Sequence, residues 1–115
     1  MKESISIDDF AKIDIRIGTV VATERVPETD KLIKCTINFG DSETGGLGIR
    51  TIVSGIAHYR SAEELVGKQL PYIVNLEPRI IKGIESQGML FAVGEGENFA
   101  LLCPDKLVAP GTSGK

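Results

Sequence analysis

Four cations in two pairs are the residues best placed to act on a ligand. Lys31 and Lys34 flank the start of an alternating apolar segment, and Arg79 and Lys82 bracket Ile80-Ile81. The second pair lies in a stretch, Asn75 to Met89, that carries Pro78 and Gly83 between two apolar runs. Proline and glycine are turn formers, so side chains of this stretch are expected to project from the end of a sheet. Lysine, arginine, asparagine and serine are the usual contacts to phosphate and sugar oxygens. The chemistry suggested is capture of a polyanion, without bond making. The 115-residue chain carries a net charge of −3, so attraction of phosphate must come from a local patch. On composition alone, ordinary solvated charge is the plainer reading of these cations.

Residues that could make or break bonds are sparse. His58 is the single histidine, and no second histidine or cysteine cluster accompanies it, so a zinc site is not expected. Ser54 and His58 could be imagined as nucleophile and base. However, Ser54 lies in Val53-Ser54-Gly55, not in a G-x-S-x-G elbow, and reads as a serine ending a strand. Glu63 and Glu64 are adjacent, and read as first-turn acids of a short helix. Gly45-Gly46-Leu47-Gly48 contains G-x-x-G, but strands flank it where a KH domain needs helices. It reads as a hairpin loop. Gly94 to Asn98 has too few glycines for a dinucleotide loop, and its acids would repel phosphate. No cofactor or metal is expected.

The elements that must hold the cations are mostly strands. Ser6 can cap one helical turn over Ile7 to Lys12. Ile13, Ile15 and Ile17 alternate with polar residues, and Val20-Val21 follow, so a first strand runs to the turn at Val26-Pro27-Glu28-Thr29-Asp30. A second strand spans Lys31 to Phe39, with Ile33, Cys35, Ile37 and Phe39 on one face. A third spans Ile49 to Val53. Ser61-Ala62-Glu63-Glu64 is a capping box, Leu65-Val66 completes the helix, and Gly67 stops it. Gln69 to Val74, Met89 to Val93 and Phe99 to Cys103 read as further strands. One short helix cannot cover both faces of a sheet, so a doubly wound α/β layout is disfavoured. The expected fold is all-β: a five-stranded OB-fold Greek-key barrel with one short helix between strands 3 and 4. A single domain over 1–115 would hold the barrel at about 13–103, with extensions 1–12 and 104–115 outside it.

Composition sets the setting. Hydrophobic residues make up 42%, enough for one core and too many for a disordered chain. Cys35 and Cys103 form no C-x-x-C pair and read as reduced core thiols. No stretch reaches the roughly 18 apolar residues of a membrane span, so a soluble, cytoplasmic chain is expected. There is no tryptophan, and most of the six aromatics fall at positions read as core. Single-strand binders stack bases on exposed aromatics. The shortage here favours backbone and shape recognition of a folded RNA.

Five pieces then occur in a telling order. They are Phe10-Ala11-Lys12-Ile13-Asp14-Ile15-Arg16-Ile17-Gly18, Asp30-Lys31-Leu32, Ser54-Gly55-Ile56, Asn75-Leu76-Glu77-Pro78-Arg79 and Glu85-Ser86-Gln87-Gly88-Met89. From about Ser6 to Gly111 the chain resembles the tRNA-binding domain family. That family includes the C-terminal domain of many methionyl-tRNA synthetases, free-standing tRNA-binding proteins and the cytokine-like synthetase cofactor of animals. The resemblance implies an OB barrel that dimerises through its extensions and binds tRNA near the outer corner of the L, by shape and backbone. It implies little sequence preference, no catalysis, and a role as accessory module or β-type subunit of a methionyl-tRNA synthetase. Position by position, Lys31 and Lys34 match the family's basic strand, and Asn75, Arg79 and Lys82 its basic loop. Ser86 and Met89 match its S-x-G-M segment, although Met89 can equally be read as core.

Two departures carry expectations of their own. Ile80-Ile81 stand where relatives often place lysine or methionine, which implies weaker or more selective RNA binding. The tail from Pro110 to Lys115 has glycine where an apolar residue is usual, which implies a weakened last strand. Ile5, Ile7 and Phe10 are expected at a homodimer interface; the alternative is that they staple the first turn to their own barrel. A second function remains open: a secretion-associated chaperone of the same fold and dimer binds peptides instead of RNA.

Overall fold

A computed structural model describes all 115 residues. The chain opens with one helical turn, α1 (Ile7–Phe10), followed by β1 (Ile15–Arg25), β2 (Ile33–Asn38) and β3 (Ile49–Ser54). Then come a second short helix, α2 (Ala62–Leu65), and β4 (Gln69–Ile73). Five shorter strands complete it: β5 (Arg79–Ile81), β6 (Ile84–Ser86), β7 (Met89–Leu90), β8 (Ala92–Val93) and β9 (Ala100–Leu101). One curled antiparallel sheet carries the order β3-β2-β1-β4-β7, which is the expected five-stranded OB-type barrel. The expected faces hold: Ile33, Cys35, Ile37 and Phe39 are all buried.

The curl has a visible cause. β1 is long enough to pair along its second half with β2 and along its first half with β4. Between the two halves the β1–β2 register slips by one residue, leaving Val21 unpaired. Such a bulge bends the strand and increases its twist. At the inside of the bend, Gly18 faces Ile37 and Phe39 so closely that any Cβ there would collide with both. Phe39 and Tyr72 meet edge to face with centroids 5.5 Å apart, filling the centre of the barrel.

Helix α2 plugs the end of the barrel. Ser61 and Glu64 form the reciprocal capping box that their spacing predicts. Ala62 and Leu65 turn inward and are buried, and the Thr23 hydroxyl donates to the Ala62 carbonyl at 2.6 Å.

Three expectations about the elements need correction. The stretch Asn75 to Met89 is not an irregular loop, because it contains the β5–β6 hairpin. Its two turn residues, Lys82 and Gly83, have φ of +50° and +80°, the pattern of a tight type I′ turn. Lysine is an unusual first residue for that turn, which hid the hairpin. The strand expected over Met89 to Val93 breaks after Leu90. Its ladder partner would be Pro71, which accepts a bond from the Phe91 amide but has no N–H to return. The chain therefore leaves the barrel, and β8 pairs with β9 as a separate ribbon.

The third correction concerns the tail, which is tied down. The Gly111 and Gly114 amides donate to the Ile17 and Ile15 carbonyls, both at 2.7 Å, and the Ile17 amide donates to Thr112 O at 2.9 Å. These bonds fill the edge of β1 that β2 leaves free. Gly111 sits at φ +88° with a would-be Cβ against the Phe39 carbonyl, so the glycine makes the docking possible. At the other end α1 is capped by Ser6 but buries no residue. Ile5 and Ile7 are 65% and 77% exposed, so they do not staple back onto the barrel.

Burial of Cys35 pushes its thiol up from 9.0 to about 11, and burial also raises the Tyr72 phenol. The unfolded thiol ionises first, so the folded state loses relative stability once the pH exceeds the unfolded value. Urea midpoints are predicted to stay flat up to about pH 9 and to fall as the pH rises through about 11. A midpoint that keeps rising across that window would contradict the buried placement of these two groups.

Candidate nucleic-acid interface

Lys34, Thr36 and Asn38 alternate with the buried residues of β2, so they stand on the outer face of the barrel. Lys34 pairs in register with Glu24 on β1 and Val53 on β3. Its Nζ lies 3.3 Å from the Glu24 carboxylate, with the Lys34 side chain 37% and the Glu24 side chain 67% exposed. An exposed pair of this kind contributes little to stability, and solvent or a competing anion can open it. Val53 is also on the outer face, yet it is only 8% exposed. The β5–β6 hairpin lies across it, and the Val53 amide donates to Ser86 Oγ at 3.0 Å.

Two clefts border the hairpin. On one side, a small cavity of about 90 Å³ is lined by Arg79, Ser86 and Met89 together with Val53 and Ile81. On the other, a wider cleft of about 470 Å³ runs between the hairpin tip and the β1–β2 turn. Lys82 faces Lys31 across it, with Glu28 and Asp30 also on its walls. The stem of Lys31 passes beside Gly55, and Gly55 shares a shallow depression with Val53 and Met89. Lys31, Arg79, Lys82 and Met89 thus edge one continuous surface, with Lys34 on the adjoining strand.

These cations keep their charge largely free. The ion pairs of the chain are Lys12–Asp9, Arg16–Asp14 and Lys34–Glu24, so Lys31, Arg79 and Lys82 have no carboxylate partner. Met89 is 46% exposed and faces this surface instead of the core.

Two of the sequence-derived site residues have other work. Asn75 accepts a bond from the Asp14 amide at 2.9 Å and donates to the Lys12 carbonyl at 2.6 Å. Its side chain fastens the start of β1 to the end of β4. Ser86 is 4% exposed; its hydroxyl accepts from Val53 and donates to the Gly88 carbonyl at 3.3 Å. Beside it, Gln87 completes the same seam: its amide donates to Thr51 O at 2.8 Å, and its Oε1 accepts from Thr51 N at 3.0 Å. Arg50 donates to the carbonyls of Val74 and Gln87. Serine and glutamine side chains thereby take the place of a missing strand along the edge of β3.

The aromatics stand differently from their expected core positions. Only Phe39 and Tyr72 are buried; Phe10, Tyr59 and Phe91 are exposed. Phe91 and Phe99 precede the two strands of the ribbon that departs from the barrel; Phe91 is exposed there, while Phe99 packs against the edge of the core. Tyr59 stacks on Phe99 at 4.2 Å and 9°, and the Arg60 guanidinium lies 5.3 Å from the Phe99 centroid. Ser54 is buried while His58 is exposed, and no hydrogen bond joins them. No group of three histidine, cysteine or acidic side chains converges.

A small curled barrel with a cationic outer face and a hairpin folded over it defines an OB-type binding module. The family model described as "Putative tRNA binding domain" matches residues 15–113, and the chain belongs to that family. It is 47% identical over 114 residues to the methionine–tRNA ligase of Porphyromonas gingivalis, covering 98% of this chain and 16% of that protein. The chain thus spans only 16% of the length of that curated relative. Among solved structures it superposes on a MetRS related protein from Pyrococcus horikoshii with TM-score 0.87 and 36% identity, over 99% of this chain and 100% of that one. It also superposes on the chaperone CsaA from Bacillus anthracis with TM-score 0.84 and 29% identity, over 98% and 100% of the two chains. No helix is long and apolar enough to cross a membrane.

Ser86→Ala leaves the buried Val53 amide without an acceptor. The expected cost is about 1–3 kcal/mol of stability, read as a lower urea midpoint with an unchanged m-value. An unaltered midpoint would show that Ser86 is not part of the closing seam.

Proposed function

We propose that this chain is a non-catalytic RNA-binding module that grips tRNA through its backbone and shape, with little sequence preference, and lends that affinity to a methionyl-tRNA synthetase. The observation that carries the reading is the surface edged by Lys31, Arg79 and Lys82, none of which has a carboxylate partner. Free cations on one side of an acidic protein make a local attractive field for phosphate even though the net charge repels it. Lys34 extends that field when Glu24 yields to a phosphate. Asn75 and Ser86 contribute indirectly, by holding β1 and the hairpin in place, and Met89 offers an apolar contact. Membership in the tRNA-binding domain family and the likeness to methionine–tRNA ligases support the same assignment. Two cysteines that form no disulfide with each other, Cys35 buried and Cys103 exposed instead of in the core, suit a cytoplasmic setting beside the translation machinery.

Each phosphate neutralised adds about 0.7–0.9 to the steepness of the log–log salt dependence. Binding to total tRNA is predicted to weaken with salt. Lys34→Ala combined with Arg79→Ala should lower both affinity and slope, the latter by about 0.7–0.9 for each phosphate that is no longer neutralised. Binding insensitive to salt and to the double variant would reject this surface, with a DNA duplex as the control ligand.

The module acts as a homodimer. Ile5 precedes a capped helical turn that has no buried residue and that carries Ile7 and Phe10; the three are 65%, 77% and 38% exposed. Covering them with a second copy removes apolar surface from water at roughly 25 cal/mol per Å². Light scattering at micromolar concentration should give twice the chain mass, and Ile5→Asp with Ile7→Asp should give the monomer. A monomeric parent protein would defeat the dimer. A peptide-binding role, as in the chaperone likeness, is the second reading. It draws on exposed apolar side chains such as Ile80, 68% exposed at the hairpin. Recovery of unfolded polypeptides without RNA in a pull-down would favour it.

A further inference from the structure

The small cavity under the β5–β6 hairpin holds more than a phosphate site needs. Its walls are aliphatic, from Val53, Leu76, Ile81 and Met89, and its charged groups are Arg79 and Glu77. Leu76 and Met89 stand at 48% and 46% exposure, so a ligand seated between them would remove apolar surface from water. Glu28 and Asp30 stand at the wider cleft, but Glu77 is the carboxylate of this cavity, and no ion pair with Arg79 or any other cation neutralises it. At about 90 Å³ the cavity is far too small for a helix or a duplex, and smaller than the ~150 Å³ that encloses a benzene ring, so it admits only the inserted edge of a base. A flat ring with hydrogen-bond donors on its edge satisfies every one of these features.

We propose that this cavity receives the Watson–Crick edge of a single unstacked guanine base of the bound RNA. The inference rests on the RNA-binding reading above and names a subsite within it. Folded RNA is read most selectively where loops and bulges release a base whose Watson–Crick edge is free. The guanine edge presents two adjacent donors, N1–H and N2–H, which match the two oxygens of the Glu77 carboxylate. Adenine and cytosine each set an acceptor beside their single amino group, and uracil sets a carbonyl on either side of its one N–H. Each of these faces a carboxylate with at least one repulsive contact. The aliphatic walls clasp the ring faces, the Met89 sulfur meets the ring edge, and Arg79 at the rim holds the phosphate of the same nucleotide. The module is then indifferent to sequence along the helical parts of its RNA and selective at one extruded position.

The test uses an RNA hairpin carrying one bulged nucleotide in five versions: guanine, adenine, cytosine, uracil and abasic. Affinity is read by fluorescence anisotropy at fixed salt, and the Met89 methyl is followed by NMR. The guanine bulge is expected to bind about tenfold more tightly than the other bases, the scale of one bidentate base contact, and to shift the Met89 methyl. Glu77→Gln, an exposed substitution whose folding is checked by its melting curve, should abolish the guanine preference. It should leave the abasic RNA bound at least as tightly, because a carboxylate near phosphate is gone. A general electrostatic role for Glu77 would instead raise affinity for all five RNAs alike. Salt-dependent binding that ranks the five RNAs equally overturns the guanine subsite and leaves the RNA-binding reading standing. Absence of salt-dependent binding to any of them overturns both. A Met89 shift produced by apolar peptides but by none of the RNAs assigns the cavity to polypeptide and overturns the proposal.

Discussion

The exposed edge of β3 is the constraint on which this molecule depends. A sheet ordered β3-β2-β1-β4-β7 can curl into a barrel only if its first and last strands satisfy one another, and β7 is only two residues long. The closure is made largely by side chains: Ser86 Oγ and Gln87 Oε1 accept the Val53 and Thr51 amides, and Arg50 spans to two carbonyls. Buried backbone donors left without such partners would each cost free energy comparable to a lost hydrogen bond. The segment that closes the barrel is also the base of the hairpin that shapes both clefts. Fold and binding surface therefore rest on the same few bonds.

That coupling explains how a chain with net charge −3 can present a cationic surface at all. The hairpin carries Arg79 and Lys82 out over β3 and toward the β1–β2 turn, where Lys31 stands. The separation of charges is incomplete: the hairpin and the start of β2 hold Arg79, Lys82 and Lys31, while Glu28 and Asp30 share the wider cleft and Glu77 the small cavity, none of them in an ion pair with these cations. Such a field acts over about a Debye length, roughly 8 Å at physiological salt, so the charges on the cleft walls themselves count most.

The two kinds of solved relative share this architecture at TM-scores of 0.87 and 0.84, although one is a synthetase-related protein and the other a chaperone. A barrel of this type supports either use, and the side chains on its outer face decide between them. Here Glu77 and Arg79 edge a cavity that is aliphatic within, while Ile80 and the N-terminal helical turn expose apolar surface elsewhere. The terminal segments differ in what they require. The tail completes the first half of β1 within one chain, whereas α1 leaves its apolar side uncovered.

Local pattern was enough for much of this. The alternation of Ile33, Cys35, Ile37 and Phe39, and the Ser61–Glu64 spacing, are properties of neighbouring residues, so period and capping rules read them without the fold. The two cation pairs were equally legible as types. Long-range partners were not. Nothing in the sequence around Ser86 says that its hydroxyl will face the Val53 amide, or that Asn75 will fasten Lys12 and Asp14. Nor could it reveal that Pro71 would divert the chain after Leu90. Those pairings join residues dozens of positions apart, and they exist only once β1 has bent and the sheet has curled. Residue types determined which chemistry was available; closure of the barrel decided which of those groups were consumed as structure and which were left to meet a ligand.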